Sequence, residues 1–299
     1  MDYSSNHYHS GFVTIVGRPN VGKSSLMNKM IGEKIAIVSS RPQTTRSRIM
    51  GVLTGSEHQI VFLDTPGIHD PRTKLGEFMM HSVRDAMDGT DVVLVILDVT
   101  HITASDLKVA SEMSGRNKIP AVLALNKIDL VTPERVLAAT AQLADAGYDE
   151  IIPVSAKTGN GVDDLIASLQ AFLPEGPQYF PDDMITDQPE RILCAEIIRE
   201  KALRHLHDEV PHGIGVEIIK IEAISEHLTE INATIYCERD AHKGIIIGKQ
   251  GCMLQTIGSE ARADIEKLMD THVNLKLWVK VRPDWRNNIS DLRNLGYES

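Results

Sequence analysis

Residues Gly17 to Ser24 read G-R-P-N-V-G-K-S, after an apolar run that ends at Val16 and before a stretch of helical spacing. Glycines at 17 and 22 let the backbone turn tightly enough for its N–H groups to surround a polyphosphate, and a helix starting there turns its positive end to the same place. Lys23 would reach the β- and γ-phosphates and Ser24 would ligate the Mg²⁺ that bridges them; Asn20, Val21, Gly22 and Ser25 complete the expected contacts.

Two further clusters stand at the ends of apolar runs. Asp64-Thr65-Pro66-Gly67 follows Gln59–Leu63. An aspartate at that strand tip can hold Mg²⁺ through water, and the Gly67 N–H can approach a γ-phosphate. Asn126-Lys127-Ile128-Asp129 follows Ala121–Leu125. The Asp129 carboxylate can accept from the N1–H and exocyclic amine of guanine, a pairing adenine cannot supply, so the expected ligand is GTP or GDP. Lys127 would lie over the base, and Asn126 would tie its loop to the phosphate loop. Ser155-Ala156-Lys157, after one more strand, supplies a backbone N–H for the guanine O6.

These clusters need a scaffold that brings several strand ends together. Strands are expected at Phe12–Val16, Arg48–Leu53, Gln59–Leu63, Val92–Leu97, Ala121–Leu125 and Ile151–Val154, several apolar enough to be buried on both faces. Helices are expected between most of them, at Lys23–Met30, Leu75–Met87, Ser105–Met113, Pro133–Ala144 and Val162–Phe172. The fold class is therefore α/β, a P-loop domain with a doubly wound, mostly parallel sheet over residues 11–173, after a frayed leader at 1–10. Four prolines without helical or alternating period mark 174–189 as a linker. Residues 190–299 then read α-β-β-α-α-β, a second, α+β domain.

Composition narrows the class. The 299 residues are 42% hydrophobic and 24% charged, with no apolar run near the ~20 residues of a membrane span and no export signal. Three cysteines without C-x-x-C spacing indicate neither a disulfide framework nor a zinc site and suit a reducing cytoplasm. A net charge of −10, acidic in both domains, argues against nucleic-acid binding by bulk charge, so any such binding is local.

The order G-x-x-x-x-G-K-S, D-T-P-G, N-K-x-D, S-A-K resembles the translation-factor-like GTPases. That resemblance implies a first-switch threonine that closes on Mg²⁺; Thr45 is chosen within Ser40–Arg46, with Thr44 the alternative. Lys23, Thr45, Gly67 and Asn20 form the expected catalytic set. Small signalling GTPases carry a water-orienting glutamine after the D-x-x-G glycine, whereas Ile68 stands here, so slow intrinsic hydrolysis is expected. The Asn20 amide oxygen is expected to help hold a K⁺ ion near the phosphates, as in similar potassium-dependent GTPases.

In the second domain Gly248-Lys249-Gln250-Gly251 places a G-x-x-G turn between two helical pieces, similar to a KH domain clamping single-stranded RNA. Lys276, Lys280, Arg282 and Arg286 gather later, and Lys280, Arg282 and Arg286 join the expected RNA set. Trp278 is expected in the core and Trp285 is left open. His205, His207 and His212 are expected in exposed or capping roles. A GTPase joined to one KH domain, with P-Q-T-T-R in the first switch and W-V-K-V-R-P-D-W-R-N-N near the end, resembles the Era family of bacterial GTPases. The resemblance implies binding to small-subunit ribosomal RNA and action in assembly of the small ribosomal subunit, by a cytoplasmic monomer. It leaves peripheral association with the inner face of the cell membrane open. The competing reading is a regulatory GTPase acting through protein or membrane partners. A metabolic nucleotide kinase is disfavoured, because N-K-I-D has no role in phosphate transfer to a small acceptor.

Overall fold

The computed structural model describes residues 8–39, 44–67, 73–103, 106, 119–208 and 210–297. Most of the helix expected at Ser105–Met113, together with Ile68, lies outside them. Two compact units emerge, one drawn from Met1–Ala36, Thr45–His69 and Met80–Asp187, the other from Ile37–Thr44, Asp70–Met79 and Gln188–Ser299.

In the first unit, strands β1 (His9–Val16), β2 (Ile49–Thr54), β3 (His58–Asp64), β4 (Val92–Asp98), β5 (Ala121–Asn126) and β6 (Glu150–Pro153) form a six-stranded sheet. Its order is β2-β3-β1-β4-β5-β6, parallel except for the antiparallel β2–β3 pair. β5 is buried along its whole length, which explains its unbroken apolar sequence: helices cover both faces of a parallel sheet. Helices α1 (Lys23–Ile31), α3 (Pro133–Leu143) and α4 (Val162–Phe172) supply much of that cover, while α2 (Lys74–Met87) has its N-terminal residues in the second unit. Parallel pairing brings the carboxyl ends of β1, β3, β4 and β5 to one edge, so residues 17, 64, 98 and 126 become neighbours.

The segment after α4 lies along this sheet. The fully buried Gln59 accepts from the Tyr179 and Phe180 N–H groups through Oε1 (2.8 and 2.9 Å) and donates from Nε2 to the Phe180 carbonyl (2.9 Å). Val52 N–H donates to Ile185 O at 2.9 Å, and Thr186 Oγ1 to Met50 O at 2.7 Å, so the exposed edge of β2 is partly paired.

The second unit contains α5 (Glu190–His205), β7 (Gly215–Ser225), β8 (Leu228–Cys237), α6 (Asp240–Ile247), α7 (Cys252–Met269), β9 (His272–Val281) and a short α8 (Ile289–Asn294). Its sheet runs β7-β8-β9, with β7–β8 antiparallel and β8–β9 parallel. One face packs on α5, α6 and α7 through Ile198, Ile231, Ala233, Ile246, Ile257 and Ile265.

The two tryptophans require a correction. Trp278 is 47% exposed, whereas Trp285 is fully buried, donates from Nε1 to Gly213 O at 2.9 Å and stacks on Tyr297. In β9 the odd positions from Val273 to Val281 face the helices, so the even position of Trp278 places it on the opposite face. Of the histidines, His205 Nε2 lies 2.8 Å from Glu260 Oε1 near the end of α5 and His207 is exposed; the described residues contain no metal-holding cluster.

Candidate functional site

The phosphate loop is shaped by two positions that exclude a side chain. Gly17 has φ 152°, and a Cβ there would lie 2.6 Å from the Ile96 carbonyl oxygen. Gly22 has φ 103°, and its Cβ would collide with the Asn126 amide. That contact exists because Asn126 Nδ2 donates to Val21 O at 2.9 Å, joining the loop at the end of β5 to the phosphate loop. Lys23 is buried at the start of α1, and its Nζ donates to the carbonyls of Gly17 and Arg18, both at 3.1 Å. Burial pulls its pKa down to about 8 against the opposing pull of Asp64. An ammonium deprived of water in this way gains most from an anionic partner. Val21 is buried, Ser25 lies partly buried in the first turn of α1, and Asn20 is exposed with φ 64°.

Three oxygens converge beside Lys23. Ser24 Oγ donates to Asp64 Oδ2 at 2.6 Å, Thr45 Oγ1 donates to the same oxygen at 3.3 Å, and the two hydroxyls lie 3.0 Å apart. Thr45 is buried beside these groups. The other Asp64 oxygen, Oδ1, is buried and has no hydrogen-bond partner of normal geometry among the described residues. Burial raises the Asp64 carboxyl above the usual carboxylate range, opposed by Lys23, Ser24 and Thr45. An all-oxygen set with one unsatisfied carboxylate oxygen suits a small hard cation such as Mg²⁺. Gly67 closes this side: a Cβ there would meet the Pro19 nitrogen at 2.6 Å.

The base-recognition residues form a connected shelf. Ala156 N–H donates to Asn126 Oδ1 at 3.0 Å, and Ser155 Oγ donates to Asp129 Oδ1 at 2.7 Å. Lys127, at φ 70°, stretches its Nζ to Asn20 O (2.9 Å) and to Asp98 Oδ2 (2.6 Å), with its stem across the gap between the loops. Burial works against the Asp98 charge, yet hydrogen bonds from Lys127 and Thr100 hold its carboxyl below the usual range. Asp98 was missed by sequence reasoning, although its place at the tip of β4 was the available signal. Ser155 is buried, while Lys157 is exposed on the same loop.

In the second unit the G-x-x-G turn is left-handed at three residues: Gly248 (φ 75°), Gln250 (54°) and Gly251 (82°). A Cβ on Gly248 would press on Met253 at 2.7 Å, whereas one on Gly251 would meet open space. Beside the turn lies a groove of about 370 Å³, lined by Leu254, Gly258 and Arg262 of α7 and by Asn274, Leu275 and Leu277 of β9. Lys249 at the turn is exposed, and neither it nor Arg262 forms an ion pair among the described residues. Arg262 was missed by sequence reasoning; the helical spacing Gly251, Leu254, Gly258, Arg262 carried the signal.

The other expected RNA contacts lie outside the groove lining. Lys280 is exposed near the end of β9. Arg282 lies 4.3 Å from the centre of the Tyr236 ring and pairs with Asp291 at 3.4 Å. Arg286 makes a two-pronged pair with Glu238, at 3.0 and 2.6 Å. Both guanidinium groups thus hold the segment after β9 to the sheet.

Known proteins share both halves. A model of the 50S ribosome-binding GTPase family matches residues 12–127, and a KH domain model matches residues 209–286. The chain is 49% identical over 296 residues to GTPase Era of Ruminiclostridium cellulolyticum, covering 98% of each protein. It is 51% identical over 294 residues to GTPase Era of Clostridioides difficile, covering 97% of this chain and 99% of the relative. A crystal structure of Era in complex with MgGDPNP and nucleotides 1506–1542 of 16S ribosomal RNA superposes with a TM-score of 0.94 at 39% identity, covering 98% of this chain and 100% of that one. Aquifex aeolicus Era bound to GDP·AlF4⁻ gives 0.93 at 39%, over 97% and 100%. With relatives this similar over nearly their whole length, and with a nucleotide-type loop and a KH groove on one chain, this GTPase belongs to the Era family.

Proposed function

We propose that this GTPase is a cytoplasmic, monomeric switch that binds small-subunit ribosomal RNA through its G-x-x-G groove and acts in assembly of the small ribosomal subunit. The observation that carries the switch is the convergence of Ser24 Oγ, Thr45 Oγ1 and Asp64 Oδ2 beside buried Lys23. In this reading Asn20, Val21, Gly22, Lys23, Ser24 and Ser25 wrap the phosphates of GTP. Ser24, Thr45 and Asp64 would hold Mg²⁺, which supplies neutralisation of charge on the β- and γ-phosphate oxygens. Lys23 stabilises the same developing charge, and the Gly67 N–H reports the γ-phosphate to the segment that follows. Asp129 selects guanine, Lys127 covers its face, and Ser155, Ala156 and Lys157 close the O6 side. Release of the γ-phosphate removes the partner that holds Thr45 and Gly67 closed.

The proposal extends to a K⁺ ion at Asn20. Its backbone is held by Lys127 at the rim of the loop, where a weakly hydrated cation would supply the positive charge that an arginine supplies in other GTPases.

For RNA, the support is a polar and apolar groove flanked by Lys249 and Arg262 in a chain that is otherwise acidic. Two cations at one site, without ion pairs among the described residues, fit the expectation that binding be local. Crosslinking in cells followed by sequencing of the bound RNA tests this. A defined site on small-subunit ribosomal RNA is the expected result; crosslinks to protein alone would replace it with the regulatory reading.

A further inference from the structure

Trp278 stands on the β9 face opposite the helices, of which only Asn274 lines the groove. Along β9, Leu275 and Leu277 pack toward α7 and line the groove, while Lys276, Trp278 and Lys280 share the opposite face. Since β9 is an edge strand, the groove and this face meet along one strand. The indole is 47% exposed. Lys280 forms no ion pair among the described residues, and Lys276 has only the surface partner Glu230, at 2.6 Å. Such an exposed pair is weak enough to exchange partners.

A half-exposed indole between two lysines, each about 7 Å away along an extended strand, matches a base with a phosphate on either side. The carboxylates of the same face sit on β7 and β8. Glu217 is held by the Tyr236 hydroxyl at 2.7 Å and Glu222 pairs with Lys220. They keep a polyanion to the β9 edge. A G-x-x-G loop clamps about four nucleotides, so a longer RNA leaves the groove beside the strand that lines it.

We propose that the Lys276–Trp278–Lys280 face of β9 is a second RNA-contact surface, on which Trp278 stacks with an unpaired base of the strand continuing from the groove. This rests on the RNA-binding reading above. Two RNAs separate the claims: one of about four nucleotides, which fills only the groove, and the 16S segment 1506–1542. The chain has two tryptophans and Trp285 is fully buried, so acrylamide-quenchable emission of the full chain reports Trp278. Saturation with the long RNA should protect that emission, and the short RNA should not. Trp278→Leu should weaken the long RNA about tenfold and leave the short one unchanged. Emission that stays quenchable with the long RNA bound, equal loss for both RNAs, or protection by small-subunit proteins without RNA would each overturn the proposal. If neither RNA binds a chain that still binds GTP, the RNA reading itself falls, and this surface with it.

Discussion

Both units place a glycine-framed turn before a helix, yet they frame it in opposite ways. At Gly17–Ser24 the turn is walled in: backbone of β4 presses on Gly17, Asn126 presses on Gly22, and Lys23 is buried. At Gly248–Gly251 only the first glycine is crowded, the second faces open space, and Lys249 is exposed. The first arrangement suits a compact, highly charged ligand enclosed from water, where each hydrogen bond and charge counts for more. The second suits a polymer that passes through, gripped by its backbone and read by shallow contacts. Local backbone conformation is thus shared, and burial sets what each turn can hold.

The largest expected effect falls on the enclosed site. Asp129→Asn should shift preference from guanosine to xanthosine nucleotides by about 10⁴-fold, because a carboxylate matched to two donors of the base penalises a mismatch heavily. Competition between GTP and XTP measures it, and unchanged preference for GTP would remove the base shelf from the comparison.

Next comes the buried tryptophan that braces the second unit. Trp285→Ala should cost about 3–5 kcal/mol, since it empties a fully enclosed position and leaves Gly213 O without its donor. Trp278→Ala should stay within about 0.5 kcal/mol. Denaturant midpoints followed in the second unit distinguish them; equal losses would contradict the assignment of faces along β9.

Gly251→Asp sharpens the contrast at the open turn. Its Cβ has room and aspartate tolerates the left-handed region, so the chain should fold and hydrolyse GTP normally without RNA. RNA affinity should fall about a hundredfold, because a carboxylate then meets the sugar-phosphate backbone. RNA titration reads this, and undiminished affinity would take the groove out of the RNA path.

The smallest effect concerns the rim of the enclosed loop. Hydrolysis should run about tenfold faster in K⁺ than in Na⁺ at equal ionic strength, a difference of about 1.4 kcal/mol. Asn20→Ala should erase the difference while nucleotide still binds. Single-turnover rates for both proteins decide it; equal rates for the unaltered chain would sink the K⁺ site.

Much was legible because it is local. Gly17, Gly22, Gly248 and Gly251 mark positive-φ turns, apolar runs mark strands buried on both faces, and D-T-P-G and N-K-I-D stand at strand ends where a parallel sheet collects them. The expectation of a core Trp278 was read from strand alternation in β9 and took the wrong phase, since the odd positions face the helices. Position along an edge strand, more than residue type, decides which face is covered.

The sequence by itself determined the order of elements and the chemistry each loop can offer, because backbone conformation and side-chain type act within a few residues. Only the tertiary structure decided which groups meet. It brought Thr45 Oγ1 to Ser24 and Asp64 across separate elements, and Asp98 to Lys127. It also turned Arg286 inward to Glu238 while leaving Arg262 at the groove. A charged side chain reads the same in sequence whether it faces a ligand or a carboxylate of its own chain, and the difference is set by packing that joins residues far apart along the chain.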